Sequence, residues 1–321
     1  MESEAKSADF KEPFRYQESW SIPHAMEQLS IALRQGRDVA IKTSGSSGAP
    51  KEILLPASAL IFSARTSNNY LNAKPGERWS LLLSPIHTAG LNVLVRSMEL
   101  GTEPVTVEHS ADYSAVVPTQ LFRALEGDQK LLAHLQSCKR VLVGGAAADP
   151  ELLARATAAG IKYVITYGMT ETCGGCVYDG APLPGVEIRV AETIEIKGPV
   201  LGKVPTKDGY FVTSDLGLIK DGKLHVTGRA DDVIISGGKN ISLSAIENFL
   251  GNDFAAFGTP DAEWGTALNL ATTNRESEIE IQTRLSENFG IRARSILRIE
   301  SIPRTALQKV DRIELGKLLP R

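Results

Sequence analysis

The sequence has few cysteines, no long apolar run and no block of charge of one sign, and each absence excludes a class of protein. Three cysteines in 321 residues, an odd number, do not form the disulfide framework of a small secreted protein. No segment approaches the about 18 consecutive apolar residues of a transmembrane helix, so we expect none. A formal charge of −3 without a Lys/Arg block argues against nucleic-acid binding and against contact with an anionic membrane.

The amino-terminal segment and the composition fit an ordinary intracellular protein. The segment MESEAKSADFKEPFRYQESW is polar and of mixed charge and lacks the apolar core of a signal peptide. Hydrophobic residues make up 42% of the chain and charged residues 23%, with no repeat and no low-complexity tract. We therefore expect a cytoplasmic protein with two or three domains. The sequence leaves open whether the chain forms a homodimer.

Short apolar runs alternate with helical spacing over the first half of the chain. Strand-like runs occupy 79–85, 114–118, 140–146 and 162–168, and amphipathic segments lie between them. Runs of Leu, Val and Ile alternating with helices favour a largely parallel sheet with both faces covered. The sequence thus predicts a large amino-terminal α/β region.

The pattern of predicted strands and helices changes twice after this region. From about Val186 short strand-like segments alternate with turns, which predicts a small antiparallel sheet or barrel-like region. Beyond Arg229 strand and helix patterns alternate again over a length that suits a small α+β domain. We predict a mixed α/β fold with two domains, residues 1–229 and 230–321.

The segment TSGSSGAPK (43–51) combines glycines, small hydroxyl residues and a final lysine. Such a loop lets backbone N–H groups surround an anion, to which Lys51 adds positive charge. It is not a Walker A loop, because Gly45 and Gly48 are too close together and Pro50 precedes the lysine. The alternative is a hairpin turn, since the strand-like segment EILLP follows. Taken alone, the segment fits either interpretation.

The segment YGMTE (167–171) follows a predicted strand. Ligands of open α/β sheets bind at the carboxyl ends of the strands. There Tyr167 can stack on a base, Thr170 can contact a phosphate and Glu171 can hold Mg²⁺. By itself the motif is weak evidence.

Two later motifs carry further candidate ligands. Asp215 in TSDLG can accept hydrogen bonds from two ribose hydroxyls, and Arg229 in GRADD can donate to the same sugar. Buried Asp–Arg pairs are also common for structural reasons. The segment PRTALQKVDR carries Lys309, although a lone surface lysine is normally only solvated.

Taken in order, these motifs resemble the motif set of the adenylate-forming superfamily, which includes acyl-CoA and aryl-CoA ligases, luciferases and the adenylation domains of peptide synthetases. The resemblance covers residues 40–321 and is carried by TSGSSGAPK, VGGAA, YGMTE, TSDLG, GRADDVIISGGKN and PRTALQKVDR. It implies a large amino-terminal region of α/β and barrel-like parts and a small, mobile carboxyl-terminal domain. Two departures stand out: the phosphate loop begins as early as Thr43, and Gln308 replaces the usual glycine before the lysine.

Within the superfamily the chain is most similar to the compact actinobacterial o-succinylbenzoate–CoA ligases of menaquinone biosynthesis. This narrower resemblance is carried by SPIHTAGLNVLVRS, VPTQL and YGMTETCGGCVYDGAPLPGV. It implies that a small aromatic acid reacts with ATP, in the presence of Mg²⁺, to form an acyl-adenylate. The acyl-adenylate then reacts with CoA to form a thioester. Three alternatives are another aryl or acyl acid, a carrier protein in place of CoA, and a nucleotide-binding module without turnover.

The superfamily resemblance implies a nucleotide-binding role for each motif. The residues expected at the β- and γ-phosphates are Thr43, Ser44, Gly45, Ser46, Ser47, Gly48 and Lys51. Those expected around the adenine are Gly144, Gly145, Ala146 and Tyr167. Thr170 is expected at the α-phosphate, Glu171 at Mg²⁺, and Asp215 with Arg229 at the ribose. Lys309 is expected to stabilise the charge that develops as the carboxylate attacks.

The resemblance also implies sites for the acid and for CoA. The expected acid site contains His87, which would gate the pocket, together with Thr119, Gln120, Gly168 and Met169. The second carboxylate of a succinylbenzoate needs a polar or cationic partner, and the sequence does not choose among Arg96, Thr119 and Gln120. Asp231 is the expected hinge, and Gly237 with Gly238 the expected path of the CoA arm.

Cys173 and Cys176 form a CxxC motif that elsewhere signals zinc or dithiol chemistry. Zinc needs two further ligands, and Cys138 is the only other cysteine in the chain. A redox motif is expected near the start of a βαβ unit, not after YGMTE. We therefore expect both thiols to pack in the protein or line the pocket.

Overall fold

The computed structural model describes residues 12–44, 50–236, 239–304 and 310–319. The chain divides into two compact units. The first contains the described residues up to Arg189, with Glu195–Val212 and Ile219–Leu224. The second contains Val190–Ile194, Thr213–Leu218 and the described residues from His225 onward.

The helices confirm most of the amphipathic segments that the sequence predicts. Within the described residues they are α1 Ile22–Arg34, α2 Ala57–Tyr70, α3 Thr88–Glu99, α4 Pro118–Glu126, α5 Gln129–Ser137, α6 Pro150–Ala158, α7 Leu243–Leu250, α8 Glu278–Phe289 and α9 Arg312–Lys317. Prolines occupy the first turn of α1, α4 and α6, where the missing N–H costs no helical hydrogen bond. No helix of the described residues is long and apolar enough to cross a membrane.

The strands are short, as the apolar runs predict. Those of the first half are β1 Val39–Ser44, β2 Pro50–Leu55, β3 Trp79–Ser80, β4 Tyr113–Val116, β5 Arg140–Val143, β6 Tyr163–Met169, β7 Gly174–Tyr178, β8 Ala181–Pro182 and β9 Glu187–Val190. Those of the second half are β10 Ile194–Lys197, β11 Phe211–Val212, β12 Asp215–Lys220, β13 Lys223–Arg229, β14 Val233–Ser236, β15 Lys239–Ser242, β16 Phe254–Asp261, β17 Gly265–Thr272 and β18 Ser295–Arg298.

A six-stranded sheet of order β3-β4-β5-β6-β7-β8 forms the centre of the first unit. The pairs from β3 to β6 are parallel, and the β6–β7 and β7–β8 pairs are antiparallel. Because β4, β5 and β6 run in one direction, the loops that follow them emerge at one edge of the sheet. This arrangement confirms the predicted mixed α/β fold and places the loops after β5 and β6 side by side.

Apolar side chains from helices and strands form two cores in this unit. One core packs α1, α2, α3 and the β1–β2 hairpin around Leu29, Leu55, Leu60 and Leu91, all fully buried. The other packs β4 and β5 with α4, α5 and α6. Each fully buried leucine contributes about 1.5–3 kcal/mol. The loops at the sheet edge are therefore carried by rigid elements.

The second unit has its own core, as expected of a small α+β domain. Its sheet has the order β15-β14-β17-β16, with β18 parallel to β17. Ile246, Leu270, Ile281 and Leu285 of this core are fully buried. In the sequence, between the strands of the two larger sheets, the chain forms a three-stranded sheet, β11-β10-β9, and the β12–β13 pair. These short strands confirm the predicted change from alternating strands and helices to short strands separated by turns. Their closure into a barrel stays a prediction.

Candidate active site

The β1–β2 hairpin brings the two ends of the predicted phosphate loop together. Thr43 faces Lys51 in antiparallel register, and the Thr43 hydroxyl donates a hydrogen bond to the Lys51 carbonyl at 3.2 Å. The backbone of Ser44 pairs with that of Pro50. The hairpin and the anion loop, which the sequence treats as alternatives, are thus compatible. Gly45, Ser46, Ser47 and Gly48 lie outside the described residues.

The glycines after β5 lie beside the end of β6. A Cβ on Gly144 would be 2.2 Å from the Thr166 hydroxyl, so only glycine fits against that strand. Gly145 has a φ of +83°, a conformation that favours glycine, and it is exposed together with Ala146. The structure therefore brings Gly144–Ala146 next to the strand that carries Tyr167, as a shared adenine site requires.

Strand β6 ends in a tight approach to β7 that positions YGMTE. The register between the two strands shifts between Tyr167 and Gly168. A Cβ on Gly168 would lie 2.1 Å from the Gly174 carbonyl oxygen, and its φ is +159°. The Met169 N–H then donates to the Thr172 hydroxyl at 2.9 Å. Gly168 thus serves the close packing of the hairpin, and Thr172 closes the turn that follows.

The turn Thr170–Thr172 presents the two predicted ligands of phosphate and metal. The Thr170 hydroxyl is 2.9 Å from the Thr88 hydroxyl at the start of α3. The Glu171 carbonyl accepts a hydrogen bond from the Gly202 N–H at 2.8 Å. The Glu171 carboxylate is partly buried and forms no hydrogen bond or ion pair with the residues that the structure describes. A partly buried carboxylate without a cation suits a metal ion.

The donor set at this turn fits Mg²⁺ bound with a nucleotide. The described residues contain no group of three or more His, Cys, Asp or Glu side chains that could hold a metal ion. Mg²⁺ is usually held by one or two carboxylates together with substrate phosphates. One carboxylate beside a candidate phosphate site therefore fits magnesium better than a protein-enclosed metal.

His87 lies immediately before α3, next to Thr88. The loop before it packs tightly on the helix, because a Cβ on Gly90 would lie 2.3 Å from the Ser84 carbonyl oxygen. The His87 N–H donates to that same carbonyl at 3.1 Å. Partial burial lowers the pKa of His87, and the charge of Glu18 opposes this only in part. The imidazole is therefore biased toward its neutral form.

Two of the predicted acid ligands lie in the first turn of α4. Gln120 uses both ends of its amide within the protein: Oε1 accepts from the Val117 N–H at 3.1 Å, and Nε2 donates to the Leu82 carbonyl at 2.7 Å. Thr119 is partly buried beside it. Gln120 thus holds the start of α4 in place, which favours a supporting role over direct contact with a second carboxylate.

Arg96, two turns after Thr88 on α3, is a buried cation. The residue is 4% exposed, and its guanidinium lies over the Trp79 ring at 4.9 Å from the centroid. One nitrogen donates to the Tyr178 hydroxyl at 3.2 Å, and Nε has no partner among the described residues. No described carboxylate pairs with it. Of the three candidates for the second carboxylate, Arg96 alone carries a charge, and no acidic side chain of the described residues compensates it.

In the second unit, Asp215 and Arg229, the two residues expected at the ribose, form an ion pair with each other, which is the structural alternative for these motifs. Arg229 Nη1 lies 3.3 Å from Asp215 Oδ1, and Asp215 is 7% exposed. The Asp215 N–H donates to the Thr213 hydroxyl at 3.0 Å. The backbone of Asp231 lies in the short helical turn Ala230–Asp232. Gly237, Gly238 and Lys309 lie outside the described residues.

Comparison with protein families agrees with this geometry. The model of a family described as AMP-binding enzyme matches residues 37–200, which hold the hairpin, the glycines after β5 and the turn after β6. The chain belongs to the AMP-binding enzyme family. The predicted resemblance to adenylate-forming enzymes is thereby confirmed.

Two curated relatives of this AMP-binding enzyme carry the same activity in their names. A probable 2-succinylbenzoate–CoA ligase of Mycobacterium tuberculosis is 36% identical, and the match covers 92% of this chain and 89% of the relative. A 2-succinylbenzoate–CoA ligase of Listeria monocytogenes is 28% identical, over 98% of this chain and 74% of the relative.

A solved structure shares the fold of this family member. The o-succinylbenzoate CoA synthetase of Bacillus subtilis, solved with its acyl-adenylate intermediate, superposes with a TM-score of 0.75 at 26% identity. The match covers 86% of this chain and 68% of that chain. The same enzyme has been solved with ATP and a magnesium ion, at a TM-score of 0.75 and 25% identity.

The cysteines of this AMP-binding enzyme are packing residues in the structure. Cys138, Cys173 and Cys176 are free and buried. Burial raises the pKa of the Cys173 thiol and raises that of Cys176 to about 12. Such thiols are poor metal ligands and poor nucleophiles. The expectation that the CxxC motif packs in the protein therefore agrees with the structure.

Sequence reasoning did not predict two contacts of this site, made by Thr88 and Asn92. Thr88 contacts Thr170, and the Asn92 amide donates to the Cys173 carbonyl at 2.8 Å. A signal was present in the sequence. Thr88, Asn92 and Arg96 recur every four residues, with only apolar residues and Gly90 between them, and this spacing places them on one face of the helix.

Proposed function

We propose that this protein is an ATP-dependent 2-succinylbenzoate–CoA ligase that acts through an acyl-adenylate in menaquinone biosynthesis. The observation that carries the proposal is the turn after β6. There Thr170 and the carboxylate of Glu171, which has no partner in the part of the chain that the structure describes, emerge at the carboxyl edge of the parallel strands, beside the glycines after β5. The names of the curated relatives supply the substrate.

In the first half-reaction the chain must hold two anions together. A carboxylate is repelled by a triphosphate, so binding and orientation supply much of the rate acceleration. We assign the triphosphate to the loop between Thr43 and Lys51, the adenine to Gly144–Ala146 and Tyr167, and the α-phosphate to Thr170. Mg²⁺, held by Glu171, would neutralise phosphate charge when bound. Asp215 and Arg229 are the proposed ribose ligands.

Lys309 and His87 have separate proposed roles at the reacting carboxylate. Lys309 stabilises the charge that develops on the α-phosphate as the carboxylate attacks and pyrophosphate leaves. His87 lies beside the start of α3, and burial lowers its pKa, so a neutral ring borders the acid pocket. A neutral gate allows the acyl group to pass without forming an ion pair with it.

The second half-reaction is thioester formation. The CoA thiol attacks the acyl carbon, and AMP leaves with the electrons of the broken acyl–phosphate bond. We propose that a rotation of the carboxyl-terminal domain (residues 230–321) about Asp231 withdraws Lys309 and brings Gly237 and Gly238 to the acyl group. Glycines let the pantetheine arm pass close to the backbone. The three buried, free cysteines suit a reducing cytoplasm, where we place the reaction.

We assign the second carboxylate of the acid to Arg96. The Arg96 guanidinium is buried and has no acidic partner among the residues that the structure describes. Such a charge is unfavourable unless an anion reaches it, and a charged hydrogen bond to it is among the strong ones. Gln120 is already engaged at both ends of its amide. The assignment predicts a preference for a dicarboxylate over a simple benzoate.

A panel of carboxylic acids tests the substrate. The enzyme is incubated with ATP, Mg²⁺ and CoA, and AMP release and thioester mass are followed. We expect 2-succinylbenzoate to give the thioester at the highest kcat/KM. Pyrophosphate release without any thioester would favour transfer to a carrier protein. If no acid produces AMP while ATP still binds, the chain is a non-catalytic nucleotide-binding module.

The variant Arg96→Gln tests the assignment of the second carboxylate. We expect the KM for 2-succinylbenzoate to rise by about 10²-fold, the value of a lost charged hydrogen bond, with no change in the KM for Mg·ATP. A monocarboxylic aryl acid should be used no worse than by the wild type. An equal loss for both acids, or no loss for either, would remove Arg96 from the acid site.

A further inference from the structure

Asn92 is a fully buried amide on α3 that faces the turn carrying Thr170 and Glu171. Its Nδ2 donates to the Cys173 carbonyl at 2.8 Å and to the Thr88 carbonyl at 3.0 Å. Ser63 of α2 donates to the same Cys173 carbonyl at 3.1 Å. Two helices thus hold one carbonyl group at the point where the turn ends.

The backbone at that point is in an unusual conformation. Cys173 has φ +49° and ψ +37°, and Gly174 follows with φ +92°. Cysteine seldom adopts the left-handed region, so its surroundings must hold it there. A Cβ on Gly174 would lie 2.5 Å from the Asn92 Nδ2, which shows how closely the amide packs on this backbone. The hydrogen bond from Asn92 keeps the exit of the turn in place.

The same helix face also contacts the entrance of the turn. Thr88, one helical turn before Asn92, has its hydroxyl 2.9 Å from that of Thr170. Helix α3 therefore contacts the turn at Thr170 and at Cys173, and Glu171 lies between the two contacts. Any shift of Cys173 must move the Glu171 backbone or break the contact at Thr170.

The other half of the Asn92 amide supports a specific role for its N–H group. The Asn92 Oδ1 is buried and accepts no hydrogen bond from the described residues. A buried acceptor without a donor is unfavourable, and an apolar side chain would avoid that cost in this core. The favourable part of the side chain is thus the donor that reaches Cys173.

We propose that Asn92 is a positioning residue that sets the Thr170 hydroxyl and the Glu171 carboxylate for Mg·ATP. It acts through the Cys173 carbonyl and touches neither nucleotide nor metal. The inference rests on the proposed function, because it takes the turn to be the Mg·ATP site. It goes further by placing the control of metal and nucleotide affinity on α3, the helix that also begins beside His87.

The comparison of Asn92→Ala with Asn269→Ala tests the proposal. Asn269 in β17 is a matched control, since it is 1% exposed and its Nδ2 also donates twice, to the Thr259 hydroxyl at 2.8 Å and to the Ala267 carbonyl at 3.2 Å. Loss of a residue that orients a metal ligand weakens binding about 10-fold to 100-fold. We expect Asn92→Ala to raise the KM for Mg·ATP and the Mg²⁺ requirement of adenylation by about tenfold. We expect Asn269→Ala to lower the melting temperature and to leave both unchanged.

Two further measurements separate this inference from the proposed function. Calorimetric titration with Mg·ATP alone needs no acid and no turnover. It therefore tests the role of Asn92 in Mg·ATP binding even if 2-succinylbenzoate is not the acid substrate. Thioester formation from the preformed adenylate should change little in Asn92→Ala. A folded Asn92→Ala that binds Mg·ATP as the wild type does would overturn the inference. If that variant does not fold, Asn92→Leu keeps the size of the side chain and removes the donor, and unchanged Mg·ATP affinity in it would overturn the inference equally.

Discussion

At the residue scale, the polar groups inside this protein divide into those the fold satisfies and those it leaves for a ligand. The buried Ser67 hydroxyl lies 2.8 Å from that of Tyr178, and Asn68 accepts from the Trp79 indole at 3.1 Å. These pairs meet the ordinary requirement that buried polar atoms have partners. The Arg96 Nε does not meet it within the described residues. The Glu171 carboxylate, which is only partly buried, forms no hydrogen bond or ion pair with them.

The cysteines give a prediction at this scale. Burial raises the pKa of Cys176 and of Cys138 to about 12, and raises that of Cys173 as well. We expect none of them to react with a thiol reagent at pH 8 in the native protein, because the thiolate is the reactive form. All three should react after denaturation, with a colorimetric thiol count as the measurement. A native thiol that reacts rapidly would show that its pocket is open.

The raised pKa of these buried thiols also makes the stability of the protein depend on pH. A thiol whose pKa is higher in the folded than in the unfolded protein favours folding fully only below the unfolded value of about 8.5. Above that pH the unfolded chain loses its protons first. The free energy of unfolding should therefore fall as the pH rises beyond about 8.5. Replacing Cys176 by alanine should reduce that slope, although it also leaves a small cavity.

At the element scale, the β6–β7 hairpin and α3 together make the turn that carries Thr170 and Glu171. The hairpin requires a glycine where the strands approach, and the helix holds the turn at both of its ends. The position of the ligands is thus a property of two packed elements and not of the loop sequence alone. The YGMTE motif therefore positions Thr170 and Glu171 only because α3 packs against the turn.

Gly168→Ala tests the need for this close approach. The new Cβ would lie 2.1 Å from the Gly174 carbonyl oxygen, so β7 must move. We expect a loss of about 2 kcal/mol or more in the free energy of unfolding, measured with denaturant, together with loss of adenylation. Gly160→Ala is the control, because Gly160 has φ +80° and nothing within 4 Å. Gly160→Ala should lower the free energy of unfolding by only about 1 kcal/mol. An equal loss in both variants would refute the packing argument.

At the scale of the whole molecule, the two compact units do not follow the predicted domain boundary residue by residue. Asp215 and Arg229 belong with the second unit, and the division crosses β12 and β13. The domains predicted as residues 1–229 and 230–321, and the rotation about Asp231, stay predictions. They concern a motion between two conformations, which the substrates must drive.

Lys309→Ala tests whether the two half-reactions use different conformations. We expect adenylation to slow by on the order of 10²–10³ in kcat, as for the loss of a group that stabilises transition-state charge. Thioester formation from preformed adenylate should be affected far less, because the lysine has then moved away. The two rates are measured separately, by pyrophosphate release and by thioester mass. Equal losses in both would refute the two-conformation account.

Asp231→Pro is the complementary variant for the same account. A proline restricts the backbone rotation that a hinge residue must undergo. Adenylation should be largely kept and thioester formation impaired, the reverse of the Lys309 variant. Normal thioester formation in Asp231→Pro would remove this residue as the hinge.

The sequence by itself determined the family, the alternation of strands and helices, and the types of residue at each motif. Local patterns suffice for these, since apolar periodicity reports which side of an element is buried, and small residues mark where backbone approaches an anion. The pairing of Thr43 with Lys51 and of Asp215 with Arg229 was also within reach, because the sequence allows a hairpin turn at TSGSSGAPK and an Asp–Arg pair between TSDLG and GRADD.

Only the tertiary structure decided which polar side chains are hydrogen-bonded within the fold and which remain available to a ligand. Nothing local distinguishes Gln120, whose amide is bonded at both ends, from Arg96, whose charge has no acidic partner among the described residues. Nor does sequence spacing show that Asn92 meets a carbonyl 81 residues further along the chain. Such contacts depend on how separate elements pack, because hydrogen-bond partners distant in the sequence are brought together only by the burial of apolar faces.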